Sequence, residues 1–519
     1  MNALESLLMA RPEQGAMSHV SHFPATEQLL VAGGDARIAL NPATGANKYG
    51  CRAKPDNHIA AFGSATATTI SEASFFSVNQ LRNRLAQQMT GNAAAEIYAQ
   101  EMRRIRQELI GLCGLNNCHG LDVVFAASGT DSHLIAAQLA AGEAASGIRM
   151  LMVDAAETGS GVPAALSGKH FSSRAALGDA VTQGAPLAAS QRGDVIAIPI
   201  RLADGTPRSS ADIDAEFEQQ VAAAVAAGQR VLLTMVDVSK TGMIAPSVAC
   251  AIELHRRYPD TLQVMVDACQ FRIAPLTLQA YLAQGFMVGI TGSKFITGPS
   301  FSGALLIPAA LSKKLRNSSL ANDLEAYSSR ADWPAGWDAN RQLDDVPNFG
   351  LLLRWEAALK ELRAFQAVSN IVATHFLQAF AQAIGQRLAS DPVFETLPVP
   401  ELLRHPFADT PGWDNIQTIF PFLLFHPAGA SEKIALSSAE TARVYHALQE
   451  DFAGNEPVQF AQPVACGSRG GVAVSALRLC VSSRLIVEAM QQNGRNEQAV
   501  IGRALRALDK TAQLVRARQ

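Results

Sequence analysis

The chain has 519 residues, of which 48% are apolar and 17% are charged, and its formal net charge is -3 at pH 7. This length and composition predict a globular protein with two or more lobes and exclude a mainly disordered chain. The near-neutral charge argues against nucleic acid or an anionic membrane surface as the main partner. No apolar run reaches the roughly 20 residues that cross a bilayer.

The seven cysteines are scattered along the chain, and none belongs to Cys/His pairs at zinc spacing. An odd, scattered set is typical of a reducing compartment, so we expect neither a disulfide framework nor a metal site. The first residues, MNALESLLMARPEQG, lack the charged-then-apolar layout of a secretion signal. We therefore expect a cytoplasmic protein.

The N-terminal part, residues 1–94, has a mixed composition, and we interpret it as an arm or edge layer without a core of its own. Within it, FGSATATTIS (62–71) is typical of an ordinary polar loop, although such small hydroxyl residues can also line a site. Residues 94–112 place apolar side chains at helical spacing and predict an amphipathic helix.

From residue 121 onwards, short apolar runs alternate with helical segments. The expected strands are 121–127, 150–156, 194–200, 230–238, 262–268, 286–291 and 303–308. The expected helices are 133–145, 211–227, 246–258 and 276–284. This alternation predicts an α/β domain whose mostly parallel sheet is covered on both faces. Ligands of such domains bind at the carboxyl ends of the strands.

Polar residues follow three of the expected strands. SGTDS (128–132) opens a helix, where backbone N–H groups and hydroxyls either bind an anion or only cap the helix. Asp267 ends a strand, where its carboxylate either caps a helix or has a catalytic role. Lys294 stands where strand 286–291 runs out, and a buried lysine costs free energy unless it is paired, neutral or covalently used. Taken alone, a solvated loop lysine is the simpler interpretation of Lys294.

In this order and at these spacings, SGTDS, VDACQ and TGSK followed by GPSFSGAL resemble one branch of the fold-type I pyridoxal 5'-phosphate (PLP) enzymes. The branch comprises the class V aminotransferases and cysteine desulfurases. The resemblance covers residues 95–310 and extends more loosely towards the C-terminus. It implies a large PLP-binding domain over 95–310, with a mostly parallel sheet of seven strands between helices, and a smaller C-terminal α/β domain.

The resemblance also implies roles for individual residues. Lys294 would form the Schiff base with PLP and shuttle protons, and Asp267 would pair with the pyridine nitrogen so that the ring stays an electron sink. Gln270 would contact the ring hydroxyl. The residues that would bind the cofactor phosphate are Gly129, Thr130, Thr291 and Ser293.

Two positions depart from the pattern of the family. Ser239, in VDVSKTGMIAP, falls where the family often has an asparagine near the ring hydroxyl, so we predict a cofactor contact for Ser239. Thr158 or Glu157 falls where the family stacks an aromatic residue or histidine on the ring, and we take Thr158 as the cofactor contact. Neither side chain stacks well. His133 and His170 fit structural positions better than ring contacts.

After residue 310 the texture of the sequence changes. Residues 311–350 form a long polar segment with Trp333 and Trp337, which we expect to cover the active site or to reach a partner subunit. Residues 351–519 would form a linking helix, 351–388, and the small domain. The expected strands of the small domain are 418–427, 457–463 and 474–483. Its expected helices are 438–452 and 497–514.

Arg478 stands alone in the apolar strand SALRLCV and needs an anionic partner. The family places an arginine on such a strand to bind the α-carboxylate of the substrate, and the resemblance transfers that role to Arg478. A salt bridge to a structural acid is the alternative. Cys466 lies where some cysteine desulfurases carry a persulfide cysteine, but the surrounding motif differs, so a structural cysteine is the better interpretation.

The resemblance thus predicts a PLP-dependent transferase or lyase, homodimeric like its relatives. It would act on an α-amino acid or amino-acid-bearing metabolite through an external aldimine and a Cα carbanion. Transamination stays open beside β- or γ-elimination and replacement, including desulfurase-like or S-adenosylmethionine-using chemistry, and the missing stacking residue favours elimination or replacement. A non-catalytic scaffold that keeps the fold is the alternative of another class; the retained Lys294 and Asp267 count against it.

Overall fold

The computed structural model describes residues 23–141, 147–187, 193–317, 322–407, 412–427, 433–494 and 496–517. The helices of these residues are α1 (Thr26–Leu30), α2 (Glu72–Gln88), α3 (Ala94–Leu112), α4 (Gly129–Ala141), α5 (Val162–Leu166), α6 (Ser210–Ala226), α7 (Val248–Arg257), α8 (Pro275–Ala283), α9 (Ala309–Leu315), α10 (Phe349–Gln366), α11 (Asn370–Ala389), α12 (Ser438–Leu448), α13 (Ser483–Ala489) and α14 (Glu497–Arg516). No helix among them combines the length and apolar character that a membrane crossing requires.

The strands are β1 (Ala60–Phe62), β2 (Asp122–Ala126), β3 (Ile148–Val153), β4 (Asp194–Ile198), β5 (Arg230–Asp237), β6 (Ile244–Ala245), β7 (Leu262–Ala268), β8 (Met287–Thr291), β9 (Gly303–Ile307), β10 (Phe394–Thr396), β11 (Ile419–Leu424), β12 (Val458–Arg469) and β13 (Val472–Cys480). Parts of three predicted segments lie outside the described residues: 1–22 of the arm, 142–145 of the helix 133–145, and 318–321 of the polar segment.

The large sheet has the strand order β2-β9-β8-β7-β5-β3-β4, and the short β6 pairs with β5. The pairs along β8-β7-β5-β3-β4 are parallel, whereas β9 runs antiparallel to both of its neighbours. The predicted mostly parallel sheet is therefore confirmed, with seven strands along its main path.

Apolar cores cover both faces of this sheet. Val123 and Phe125 of β2 belong to one buried cluster, and Val124 between them belongs to the other. Neighbouring strand residues point to opposite faces, so this alternation places a core on each side. The helix α4 lies in the second core, where even Asp131 and His133 are almost completely buried. Its burial brings the start of α4 against the ends of the strands.

A second sheet, with the order β1-β12-β13-β11-β10, forms the smaller lobe. Its outer strand β1 comes from the N-terminal part of the chain and pairs in parallel with β12, from Ala60 opposite Val458 to Phe62 opposite Phe460. The polar residues that follow β1 are thereby carried to the junction of the two sheets. The expected arm thus completes the sheet of the C-terminal lobe.

The described part of the polar segment packs on the large domain. Trp333 and Trp337 are buried with ring centroids 5.7 Å apart, and the indole N–H of Trp337 donates to Asp122. None of its described residues lines the cleft that is described below. The expected linking helix is two helices, α10 and α11, because Ser369 caps the start of α11 by accepting a hydrogen bond from the Val372 N–H.

Candidate active site

A cleft of about 260 Å³ lies at the carboxyl ends of the strands of the large sheet. Its walls come from the ends of β2, β3, β5, β7 and β8, from the small sheet, and from the N-terminal part of the chain. Because parallel strands end at the same edge of a sheet, residues that are far apart in the sequence meet here. All the predicted site residues except Ser239 line this cleft.

The start of α4 forms one wall of the cleft. Gly129 and Thr130 supply the first turn of this helix, whose leading N–H groups have no partner within the helix and favour an anion. A Cβ atom at position 129 would lie 2.6 Å from the sulfur of Cys269, so the close approach of the two loops requires glycine. Thr291 and Ser293 line the same cleft at the end of β8.

Arg37, which the sequence analysis missed, reaches this turn from the N-terminal segment. Its guanidinium lies 3.5 Å from the hydroxyl of Thr130 and 3.4 Å from that of Ser128. Asp35 orients it through a charge-assisted hydrogen bond of 2.9 Å. A cation therefore joins the N–H groups and hydroxyls of an anion-binding wall. No local motif marks Arg37 as a site residue, because the two hydroxyls that it faces, of Ser128 and Thr130, come from a distant part of the chain.

Asp267, at the end of β7, faces His133 across the floor of the cleft. The Asp267 carboxylate lies 3.4 Å from Nε2 of His133, and Nδ1 of that ring lies 2.7 Å from the Gly129 carbonyl oxygen. Burial opposes charge on Asp267, but His133 and Lys294 outweigh it and hold the pKa of the carboxyl well below its usual range. Burial likewise opposes charge on His133, but Asp267 outweighs it and raises the imidazole pKa. Both shifts favour an ionised carboxylate paired with a protonated imidazole.

The two shifts predict a pH-dependent stability. The raised pKa of His133 gives stability that is fully present below about 6.5, the ordinary value, and is lost as pH rises through the folded pKa. The lowered pKa of Asp267 gives stability that is lost as pH falls below about 4. We expect the destabilisation by His133→Asn to be greatest near pH 5–6 and to shrink at higher pH, as measured by thermal melting.

His255 supplies the matched control for this measurement. It is half-buried, and burial lowers its pKa, so its neutral form is the one favoured by folding. We expect the effect of His255→Asn to grow as pH rises, in the opposite direction to that of His133→Asn. Parallel pH profiles for the two variants would contradict the ion pair between His133 and Asp267.

Lys294 projects from the loop after β8 into the cleft. The loop is fixed by hydrogen bonds from the Gly292 N–H to the Ser302 carbonyl and from the Gly298 N–H to the Gly292 carbonyl, both 2.8 Å. Its side chain is half-buried, and its amine forms no hydrogen bond or ion pair with the residues that the structure describes. A fixed backbone and a free amine suit covalent or proton-transfer chemistry.

Two of the remaining predicted contacts line the cleft, and one lies behind its wall. Gln270 faces the cleft while its amide donates to the Ala65 carbonyl at 3.0 Å. Thr158 also lines it, but the Ser239 hydroxyl points away and donates to Glu157 at 2.8 Å. Glu157, which itself lines the cleft, is paired with Arg201 at 2.9 Å. The structure thus gives Ser239 a carboxylate partner in place of a position in the cleft wall.

Arg478, on β13, closes the cleft from the small sheet. It is buried, and its two terminal nitrogens donate to the carbonyls of Lys240 and Gln462 at 3.0 and 2.5 Å. Within the described chain it forms no ion pair, and its buried Nε–H has no acceptor. The alternative of a structural salt bridge therefore finds no acid among the described residues. An unpaired donor on a buried guanidinium is a site for a carboxylate.

Cys466 lies apart from these residues. Its thiol is buried against Val474 and Leu423, and it does not line the cleft. Burial raises the pKa of the Cys466 thiol to about 11, so the reactive thiolate is scarce at neutral pH. This placement agrees with the interpretation of Cys466 as a structural cysteine.

No protein-family model and no curated protein sequence matches the chain. Solved structures do. The chain is similar to the cysteine desulfurase CsdA from Escherichia coli, with 15% identity, 88% of this chain and 96% of that chain covered, and a TM-score of 0.50. A NifS-like protein matches at 13% identity, 87% and 99% coverage, and a TM-score of 0.51. TDC from Oryza sativa, solved with PLP and tryptamine, matches at 14% identity, 88% and 83% coverage, and a TM-score of 0.50.

The chain shares its fold with these structures, and this fold is fold type I of the PLP-dependent enzymes. The predicted fold class is therefore confirmed. At these identities the likeness concerns the fold. The chemistry of this chain depends on the residues of its own cleft.

Proposed function

We propose that the protein is a PLP-dependent enzyme that acts on an α-amino acid or an amino-acid-bearing metabolite. One observation carries the proposal: the free amine of Lys294 shares a cleft with the ionised, buried Asp267 and with the anion-binding start of α4. An amine, a buried carboxylate and a phosphate site together match the aldehyde, the ring nitrogen and the phosphate of PLP.

The residues present fit this cofactor. The N–H groups at Gly129 and Thr130, with the guanidinium of Arg37, would hold the phosphate. The glycine at position 129, where a Cβ would collide with Cys269, lets the backbone approach closely. Asp267 would face the ring nitrogen, and His133 keeps that carboxylate ionised. When bound, PLP supplies an electron sink for negative charge at the substrate Cα.

The chain's own residues would then do three things. Arg478, which lines the cleft and has no acid partner among the described residues, would bind the α-carboxylate and so orient the substrate. The amine of Lys294 takes the proton from Cα and returns it. Asp267, paired with His133, would face the ring nitrogen and favour its protonated form. Each role needs a side chain that lines the same cleft, and all three residues do.

We propose transferase or lyase chemistry at Cα. The burial and raised pKa of Cys466 count against a relay of sulfur through that cysteine. The turn at Glu157–Thr158 presents an acid and a hydroxyl where an aromatic ring would stack, and Glu157 is already paired with Arg201. This supports elimination or replacement as the second candidate beside transamination. We also propose a homodimer, from the resemblance, and a cytoplasmic location, which the seven free cysteines support.

Covalent trapping tests the proposal. PLP is added to the protein, the complex is reduced with borohydride, and the modified peptide is identified by mass spectrometry. We expect a visible absorption band that reduction removes, and a single label on Lys294. Lys240, which also lines the cleft, is the internal control. A protein that stays colourless with PLP, or a label spread over Lys240 and surface lysines, would contradict the proposal.

A further inference from the structure

The charges that line the cleft are strongly unbalanced. The arginine and lysine side chains among its lining residues are Arg37, Lys48, Lys240, Lys294 and Arg478. The acidic ones are Glu157 and Asp267. Both acids already have partners, Arg201 at 2.9 Å and His133 at 3.4 Å. Of the basic groups, Arg37 is paired with Asp35. The other four have no acid partner within the described part of the chain, so the cleft is built for anions.

The proposed function accounts for some of these cations and leaves two. The phosphate takes Arg37 and the start of α4, Lys294 is the reacting amine, and Arg478 takes the α-carboxylate. Lys48 is exposed at the rim, where solvent screens its charge. Lys240 is half-buried inside the cleft and has no assigned role.

Lys240 is held in place from both sides of the cleft. Its backbone N–H donates to the Glu157 carbonyl at 2.8 Å, and its own carbonyl accepts from Arg478 at 3.0 Å. The ammonium donates to the Ala155 carbonyl at 3.2 Å. An ammonium has three donors, so two remain for another acceptor. Because the Lys240 backbone is hydrogen-bonded to Arg478, Lys240 lies next to the residue to which we assign the α-carboxylate.

The surroundings of the Lys240 ammonium also favour an anion as its partner. Burial, together with the nearby charges of Arg478 and Lys294, lowers the pKa of Lys240 to about 8. A cation held among other cations is relieved when a negative group enters. At neutral pH Lys240 is still mostly protonated, so it can provide charge-assisted hydrogen bonds to that group.

We infer that Lys240 binds a second anionic group of the substrate, and that the substrate is an α-amino acid whose side chain ends in a carboxylate. This inference rests on the proposed function, because it assigns the α-carboxylate to Arg478. It narrows the substrate class from amino acids in general to acidic ones.

Binding of simple acids to the holoenzyme tests the inference without any reaction at the cofactor. Succinate is compared with butyrate, and glutarate with valerate, so that each pair has equal chain length and differs in one charge. Dissociation constants are measured by calorimetry. We expect the dicarboxylate of at least one pair to bind about ten- to a hundredfold more tightly, the usual worth of a hydrogen bond to a charged group.

Variants identify the residue responsible for this preference. Lys240→Gln should remove the preference while binding of the monocarboxylates stays unchanged, and Lys240→Arg should retain it. Lys360→Gln, which removes an equal charge from an exposed position on α10, should leave all four constants unchanged.

Two results would overturn the inference. One is equal binding of di- and monocarboxylates by the unmodified holoenzyme. The other is a preference that survives in Lys240→Gln; if that substitution instead shifts the cofactor absorption band, Lys240 contacts the ring and not the substrate. Either result leaves the label on Lys294 intact, whereas failure of the proposed function shows as absence of that label. The two failures are therefore distinguishable.

Discussion

Replacement of Lys294 by alanine is expected to reduce the turnover rate by about 10⁴-fold, because one side chain supplies both the covalent link and the proton transfer at Cα. The loop that carries Lys294 is fixed by backbone hydrogen bonds of Gly292 and Gly298, so the substitution should leave its course unchanged. Turnover is measured under saturating PLP with the amino acid that gives the fastest reaction. Retention of PLP after dialysis is measured in parallel and should fall as well.

Lys294→Arg separates charge from chemistry. Arginine keeps the positive charge that faces Asp267, but its guanidinium stays protonated and is a poor nucleophile and base. We expect Lys294→Arg to lose as much activity as Lys294→Ala. Added methylamine should restore part of the turnover in the alanine variant, where space for a small amine is left. Activity of either variant within tenfold of the unmodified enzyme would contradict the assignment of Lys294.

Replacement of Arg404 by methionine is expected to lower the free energy of unfolding by about 3–5 kcal/mol. Arg404 forms two hydrogen bonds, of 2.7 and 2.8 Å, with the carboxylate of Asp237 at the end of β5, and that carboxylate has no exposed surface. In the variant, Asp237 keeps the Tyr281 hydroxyl at 2.6 Å but loses its charged partner. A buried carboxylate without a counter-charge is costly.

Denaturant-induced unfolding measures this effect, and two further variants interpret it. Arg256→Met removes an exposed arginine that pairs with Glu253, and because solvent screens this pair we expect almost no change in the free energy of unfolding. The double variant Asp237→Asn/Arg404→Met removes both charges and should be more stable than Arg404→Met alone. Equal losses for Arg404→Met and Arg256→Met would show that the buried pair contributes no more than a surface pair.

Much of the large domain could be predicted because its signals are local. The apolar spacing of Ala94–Leu112 predicts both ends of α3. The apolar runs predict the seven strands on the main path of the large sheet to within a few residues, but not the short β6. Tertiary contacts could not be predicted in this way. We expected the polar segment with Trp333 and Trp337 to cover the active site or to reach a partner subunit, and its sequence does not indicate that the two indoles pack together in a core.

Some residues of the candidate site could likewise be predicted from local sequence, and others could not. Asp267 and Lys294 were predicted because each follows its own strand, and the topology of a parallel sheet brings such ends together. Arg37, His133 and Lys240 acquire their importance only from neighbours that lie far away in the chain. No residue close to His133 in the sequence indicates that Asp267 is its partner. The two meet because α4 packs against the large sheet, on β5, β8 and β9. Likewise, Lys240 becomes a candidate substrate contact only because the fold brings Arg478 next to it.

The pairing of β1 with β12 has a consequence for biosynthesis. Residues 60–62 leave the ribosome early, but the strand that they pair with spans residues 458–469. The sheet of the C-terminal lobe therefore cannot be completed until the residues of β12 have been synthesised, about 400 residues after β1. Closing so long a loop slows folding. A truncated chain that starts at α10 would expose one edge of β12, and such open edges promote aggregation. During translation, β1 is therefore made long before β12, the strand whose edge it covers.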